Sequence, residues 1–92
     1  MFTLEIGPAD RLIQKSEEAF LVVTSKIIND HIITAIKSNK SSASIDIPIE
    51  YNIEVRWLTQ LMVCYGENGY KYHYKYDDTS KIFNVELSWP KI

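Results

Sequence analysis

The chain has 92 residues, 46% hydrophobic and 24% charged, with ten Lys and Arg against twelve Asp and Glu. That length suits one domain, since domains cluster near about 100–150 residues, and an apolar fraction this high excludes a disordered tail. The net charge of −2 excludes both the strongly basic signature of a non-specific nucleic-acid binder and the dense acidic surface of a DNA mimic.

A domain of this size buries only about 60–65% of its unfolded surface, so oligomerisation is a common supplement to its stability. One cysteine, Cys64, closes no intrachain disulfide and points to a reducing compartment. Met1-Phe2-Thr3-Leu4-Glu5 carries an acid and no base, unlike a signal peptide. The longest unbroken apolar run, Ala19 to Val23, is far short of the ~20 residues that span a bilayer. The expectation is a soluble cytoplasmic protein without membrane contact.

In chain order, Phe2 to Ile6 alternates apolar and polar residues and reads as a short strand or an arm within residues 1–7. Gly7-Pro8 breaks it, and Pro8 is placed to open a helix, where its missing N–H costs nothing. From Ala9 to about Asn39 there is no Gly or Pro and the pattern is helical. At ~100° per residue its apolar side chains form two stripes. Ala9, Leu12, Ile13, Phe20, Val23 and Ile27 make one. Leu21, Ile28, Ile32, Ala35 and Ile36 make another, rotated by roughly a quarter to a third of a turn. Two arrangements are open. A break near Ser16, with Ser16 as cap and Glu17-Glu18 in the new first turn, or a bend, lets one core take both stripes. Otherwise the C-terminal half packs on the protein's own sheet while Leu12, Ile13, Phe20, Val23 and Ile27 pack on another subunit.

After a polar link, Ser38 to Ser44, the alternation of Ala43 to Ile49 predicts a strand that ends at Pro48. Asn52 is the expected cap of a helix over Ile53–Tyr65, with Val55, Leu58, Leu61, Met62 and Tyr65 inward and Trp57 and Cys64 beside them. Gly66 and Gly69 supply left-handed positions for its stop. Tyr70, Tyr72, Tyr74 and Tyr76 then alternate with Lys71, His73, Lys75 and Asp77, and Phe83, Val85, Leu87 and Trp89 alternate likewise. A tight turn at Asp78-Thr79 pairs Tyr74 with Phe83, Tyr72 with Val85 and Tyr70 with Leu87, and sets Lys71 opposite Glu86. The strand over Phe83–Trp89, less charged than the lysine-bearing one, belongs in the centre, and the lysine-bearing one at an edge. The predicted fold is a single α+β domain over residues 1–92, in αβαββ order. A small, mainly antiparallel three-stranded sheet has helices on one face, and the N-terminal helix is long.

Candidate chemistry is sparse. Three glycines and two histidines build neither a phosphate-cradling loop nor a His-Glu-x-x-His zinc site, and a lone cysteine is poor material for a metal centre. Cys64 reads as a small buried side chain. Asp77-Asp78 reads as turn chemistry, and His31 beside Asp30 as a solvated helix residue. No catalytic residue, metal or cofactor is expected. Lys71, His73 and Lys75, aligned on one strand face with Arg56 and Lys81 as neighbours, are the candidate contacts for another protein or for nucleic acid. The tyrosines fall on the opposite face from these cations, which disfavours base stacking beside phosphate contact. A tyrosine-lined pocket at a subunit interface, holding a nucleotide-like ligand, is a further alternative.

Ile32-Ile33-Thr34-Ala35-Ile36-Lys37-Ser38-Asn39-Lys40, Ile45-Asp46-Ile47-Pro48, Asn68-Gly69-Tyr70-Lys71-Tyr72 and Val85-Glu86-Leu87-Ser88-Trp89 occur in that order. Over roughly residues 27–89 this resembles a loose family of small accessory proteins of tailed phages, built as helix, strand, helix, Gly-Tyr entry to a hairpin, and terminal Ser-Trp. Asn39 stands where that pattern commonly has glycine. The resemblance implies a phage-encoded protein that binds and interferes with a host component in the host cytoplasm, or a minor assembly part. It implies no catalytic residues. The expected function is non-enzymatic binding by a homo-oligomer.

Overall fold

The computed structural model describes residues 8–90; the strand or arm expected over Phe2–Ile6 lies outside them. Two helices and three strands follow in the order α1 (Ala9–Lys37), β1 (Ser42–Pro48), α2 (Ile53–Glu67), β2 (Lys71–Asp77) and β3 (Ile82–Ser88). The sheet is antiparallel in the order β1-β3-β2, with β3 in the centre and the lysine-bearing β2 at an edge, as expected. The fold is α+β, and both helices pack on one sheet face, α1 against β1 and α2 against β2.

Uninterrupted helix-compatible sequence lets α1 run 29 residues without a break, about 43 Å at 1.5 Å per residue. Pro8 is its N-cap, extended at φ −59° and ψ 142°, and its carbonyl accepts from the N–H groups of Arg11 and Leu12. Ser16 therefore caps nothing, and the arrangement with a break there is overturned. The helix stops where Asn39 takes a left-handed φ of 60°. The N–H of Asn39 then donates to the Ile36 carbonyl, and that of Lys40 to the Ala35 carbonyl, each at 2.9 Å. Asparagine tolerates this conformation, so glycine is not required here.

The second helix ends by the same device, with Gly69 at φ 93° and Tyr70 N–H donating to the Tyr65 carbonyl. Gly66, expected as a second left-handed position, lies inside α2 instead. Its missing side chain makes room for Tyr72, whose ring would stand 2.7 Å from a Cβ at this position. The expected Asn52 cap also differs. Asn52 is helical and makes no capping bond, while the Glu54 carboxylate reaches back to accept from the N–H groups of Glu50 and Tyr51 at 2.8 and 3.0 Å.

In the hairpin Tyr76 pairs with Phe83, Tyr74 with Val85 and Tyr72 with Leu87, two residues away from the expected register. The cause is the turn, which takes four residues, Asp78 to Lys81, rather than two. The Asp77 carboxylate accepts from the N–H groups of Thr79 and Ser80 at 3.0 and 3.5 Å. Lys81 closes the loop at φ 58°, its ammonium 3.0 Å from Asp78. A shift of two conserves which face each side chain takes, so the tyrosines stay with the core and the cations stay outside. The expected Lys71–Glu86 pair is lost: Lys71 faces Ser88, and Glu86 faces His73.

The core joins Ile28 and Ile32 of α1, Leu58, Met62 and Tyr65 of α2, Ile45 and Ile47 of β1, Ile49 just beyond it, and Phe83, Val85 and Leu87 of β3. It takes only the C-terminal part of α1, where Thr24, Ile28, Ile32 and Ala35 are buried. Ile28→Ala is expected to cost about 2–5 kcal/mol of stability in urea titration. Val22→Ala, at a position 68% exposed, is expected to stay within about 0.5 kcal/mol. Hydrogen bonds to Thr79 and Ser80 hold the Asp77 carboxyl below its usual pKa. Its stabilising contribution is thus present above the ordinary carboxylate range near about pH 4 and is lost as pH falls through the lowered folded value. Acid titration by NMR should move the Thr79 amide with a midpoint below the usual aspartate value, and Asp77→Asn should remove that step.

Candidate functional site

Beyond Phe20, α1 leaves the domain. The Phe20 ring lies 5.6 Å from Trp57, half-buried, and every residue from Pro8 to Ser16 is exposed. The molecule measures 60 × 30 × 22 Å, with a radius of gyration of 16.1 Å; a compact chain of this length has about 12 Å. On the projecting part and its continuation, Leu12, Ile13, Val23 and Ile27 are 52, 55, 60 and 46% exposed. Four of the five expected interface residues thus share one open stripe, and Phe20 borders it while also serving the domain's own packing. Positions 9, 12/13, 16, 19/20, 23 and 27 recur every three or four residues, the spacing of a seam that packs against another helix.

By length and composition α1 also qualifies as a membrane-crossing helix, although its longest unbroken apolar run is only Ala19 to Val23. Its polar residues, Lys26, Asn29 and Asp30, interrupt the run without lowering its average enough. Ile28, Ile32 and Ala35 within that helix are buried in the domain's own core.

The second candidate surface is the open sheet face, where Lys71, His73 and Lys75 project from β2 beside Ser88, Glu86 and Asn84 of β3. Parity places them opposite the helix-covered face. Arg56 does not join them, because it is exposed on α2 in the helix layer. Lys81 is held by Asp78 at the turn. A groove of about 560 Å3 crosses this face, lined among others by Lys40, Ser42, Lys71, His73, Glu86 and Ser88. On the other face Tyr72 and Tyr74 stack with ring centroids 6.3 Å apart, and Tyr74 stacks on Phe83 at 5.4 Å.

A third feature is a shallow cleft of about 440 Å3 between α1 and α2, bordered by Ser25, Asn29, Cys64, Tyr65, Asn68 and Tyr70. Cys64 is exposed on its rim, contrary to the buried position expected from its apolar neighbours, because α2 turns Leu58, Met62 and Tyr65 to the core. The Tyr65 hydroxyl donates to Asn29 Oδ1 at 2.7 Å, and burial, then Tyr70, pushes its pKa up to about 12. Nothing in the sequence signalled this bond, since 36 residues separate its partners. The His31 ring hydrogen-bonds through Nδ1 to the Ile27 carbonyl of its own helix. Among the described residues no group of three His, Cys, Asp or Glu side chains lies close enough to hold a metal ion.

No family model, no curated protein and no solved structure matches the chain.

The raised Tyr65 pKa means that its contribution is intact below about pH 10 and is lost as pH rises to the folded value of about 12. Tyr65→Phe should cost about 1 kcal/mol at neutral pH and reduce the loss of stability in that alkaline window, measured by urea titration at a series of pH values.

Proposed function

We propose that the protein acts by binding rather than by catalysis, as a self-associating interaction module whose seam is the exposed stripe of α1. The observation that carries this reading is the projecting half-helix, on which Leu12, Ile13, Val23 and Ile27 are about half exposed with helix-packing spacing. A second copy is the occupant its sequence fits best. In an antiparallel pair centred on Ser16, Ala9 of each copy faces Val23 of the other and Ala19 faces Ile13, small against large, while Leu12 faces Phe20. Such a pairing is isologous, so it closes as a dimer rather than growing into a filament.

Leu12, Ile13 and Val23 of each copy, half-covered in this pairing, return on the order of 6 kcal/mol for the pair. Association costs about 4–15 kcal/mol, so the dimer depends on concentration. The phage-protein resemblance supplies a setting for this reading, a small protein that engages a host component once assembled.

Sedimentation equilibrium from one to several hundred micromolar should show a monomer–dimer equilibrium. The double variant Ile13→Glu/Val23→Glu should weaken it at least a hundredfold with an unchanged circular dichroism spectrum. A wild-type chain monomeric throughout that range, or one that floats with lipid vesicles through α1, contradicts the proposal.

A further inference from the structure

We propose that the outer edge of β2 docks an extended peptide segment in which acidic residues alternate with apolar ones, adding it to the sheet as a fourth strand. Among the described residues the strand order leaves β2 with one unpaired edge seven residues long. Such an edge offers a row of backbone donors and acceptors to an added strand. The opposite edge, β1, is blunted by Pro48, whereas β2 contains no proline and pairs without a bulge along its whole length.

The side chains of β2 define what fits beside it. On the open face Lys71, His73 and Lys75 follow one another at every second residue before Asp77 ends the row, its carboxylate held by the N–H groups of Thr79 and Ser80. Among the described residues none of the three forms an ion pair. On the helix side Tyr72 and Tyr74 remain 41 and 39% exposed, stacked on each other. A strand laid along this edge therefore meets cations with one set of its side chains and aromatic rings with the other. Carboxylates at alternate positions match the first row, and apolar side chains between them cover the second.

The two lysines also select against one pairing with a second copy of the strand. Pairing two antiparallel β2 edges in the register centred on His73 sets Lys71 of each against Lys75 of the other. Like charges directly opposite each other destabilise a strand pair. That register is thus disfavoured while an anionic strand is accepted, a role separate from the α1 seam and independent of dimer formation.

The test uses the full-length protein and a fluorescein-labelled synthetic heptapeptide of alternating glutamate and valine, followed by fluorescence anisotropy. Saturable binding is expected, with at least a tenfold loss when every second peptide nitrogen is methylated, because the ladder then lacks its hydrogen bonds. Lys71→Glu/Lys75→Glu, at two exposed positions, should lose the acidic peptide at least tenfold and gain binding of the lysine–valine peptide. Binding should persist in Ile13→Glu/Val23→Glu, which separates this site from self-association. No binding at millimolar peptide overturns the proposal. So does equal binding of the methylated peptide, or of a single-stranded oligonucleotide, since either makes the face a general polyanion surface.

Discussion

A rigid rod with two apolar sides is the constraint from which the rest follows. Because α1 contains neither glycine nor proline, it cannot fold back to bring both stripes to one core. The line through Thr24, Ile28, Ile32 and Ala35 satisfies the sheet, which leaves the stripe through Leu12, Ile13, Val23 and Ile27 in contact with solvent. The Phe20–Trp57 contact marks where the domain ends and the projecting arm begins. Association through that arm is the economical way to remove the remaining apolar surface from water.

The sheet divides its labour by parity. One face supplies Ile45, Ile47, Phe83, Val85 and Leu87 to the core, and the other carries serines, carboxylates and Lys71, His73 and Lys75 of β2. Since α2 covers β2 only in part, Tyr72 and Tyr74 stay accessible at the edge. Gly66 brings the helix and the Tyr72 ring together closely enough to fix that ring's position. The result is an edge with a charged row above and an aromatic row below, both set by a period of two.

The order of elements and the sidedness of every strand were legible because hydrophobic periodicity encodes them directly, and the central place of β3 because lysines on the neighbouring strand suit an edge. The hairpin register was not. Two- and four-residue turns differ by a shift that leaves the alternation intact, and only the Asp77 hydrogen bonds with the left-handed Lys81 decide between them. Cys64 misled because a helix flank with apolar neighbours looks like core until the direction of the face is known. The Arg56 guanidinium lies in the helix layer, away from the cations of β2, a separation that depends on the sheet lying between them. The stripe of Leu12, Ile13, Phe20, Val23 and Ile27 was visible in the pattern, but whether the chain broke at Ser16 was decided only by the helix being continuous.

The most direct test of the central claim is a distance between two copies. A single nitroxide at Lys15, in a chain whose exposed Cys64 has been replaced by serine, places one spin on each molecule beside the seam. Pulsed dipolar spectroscopy at high protein concentration should give one narrow interspin distance, abolished by Ile13→Glu/Val23→Glu. An undamped signal with no dipolar modulation would show that the arm of α1 stands alone, and would contradict pairing through it.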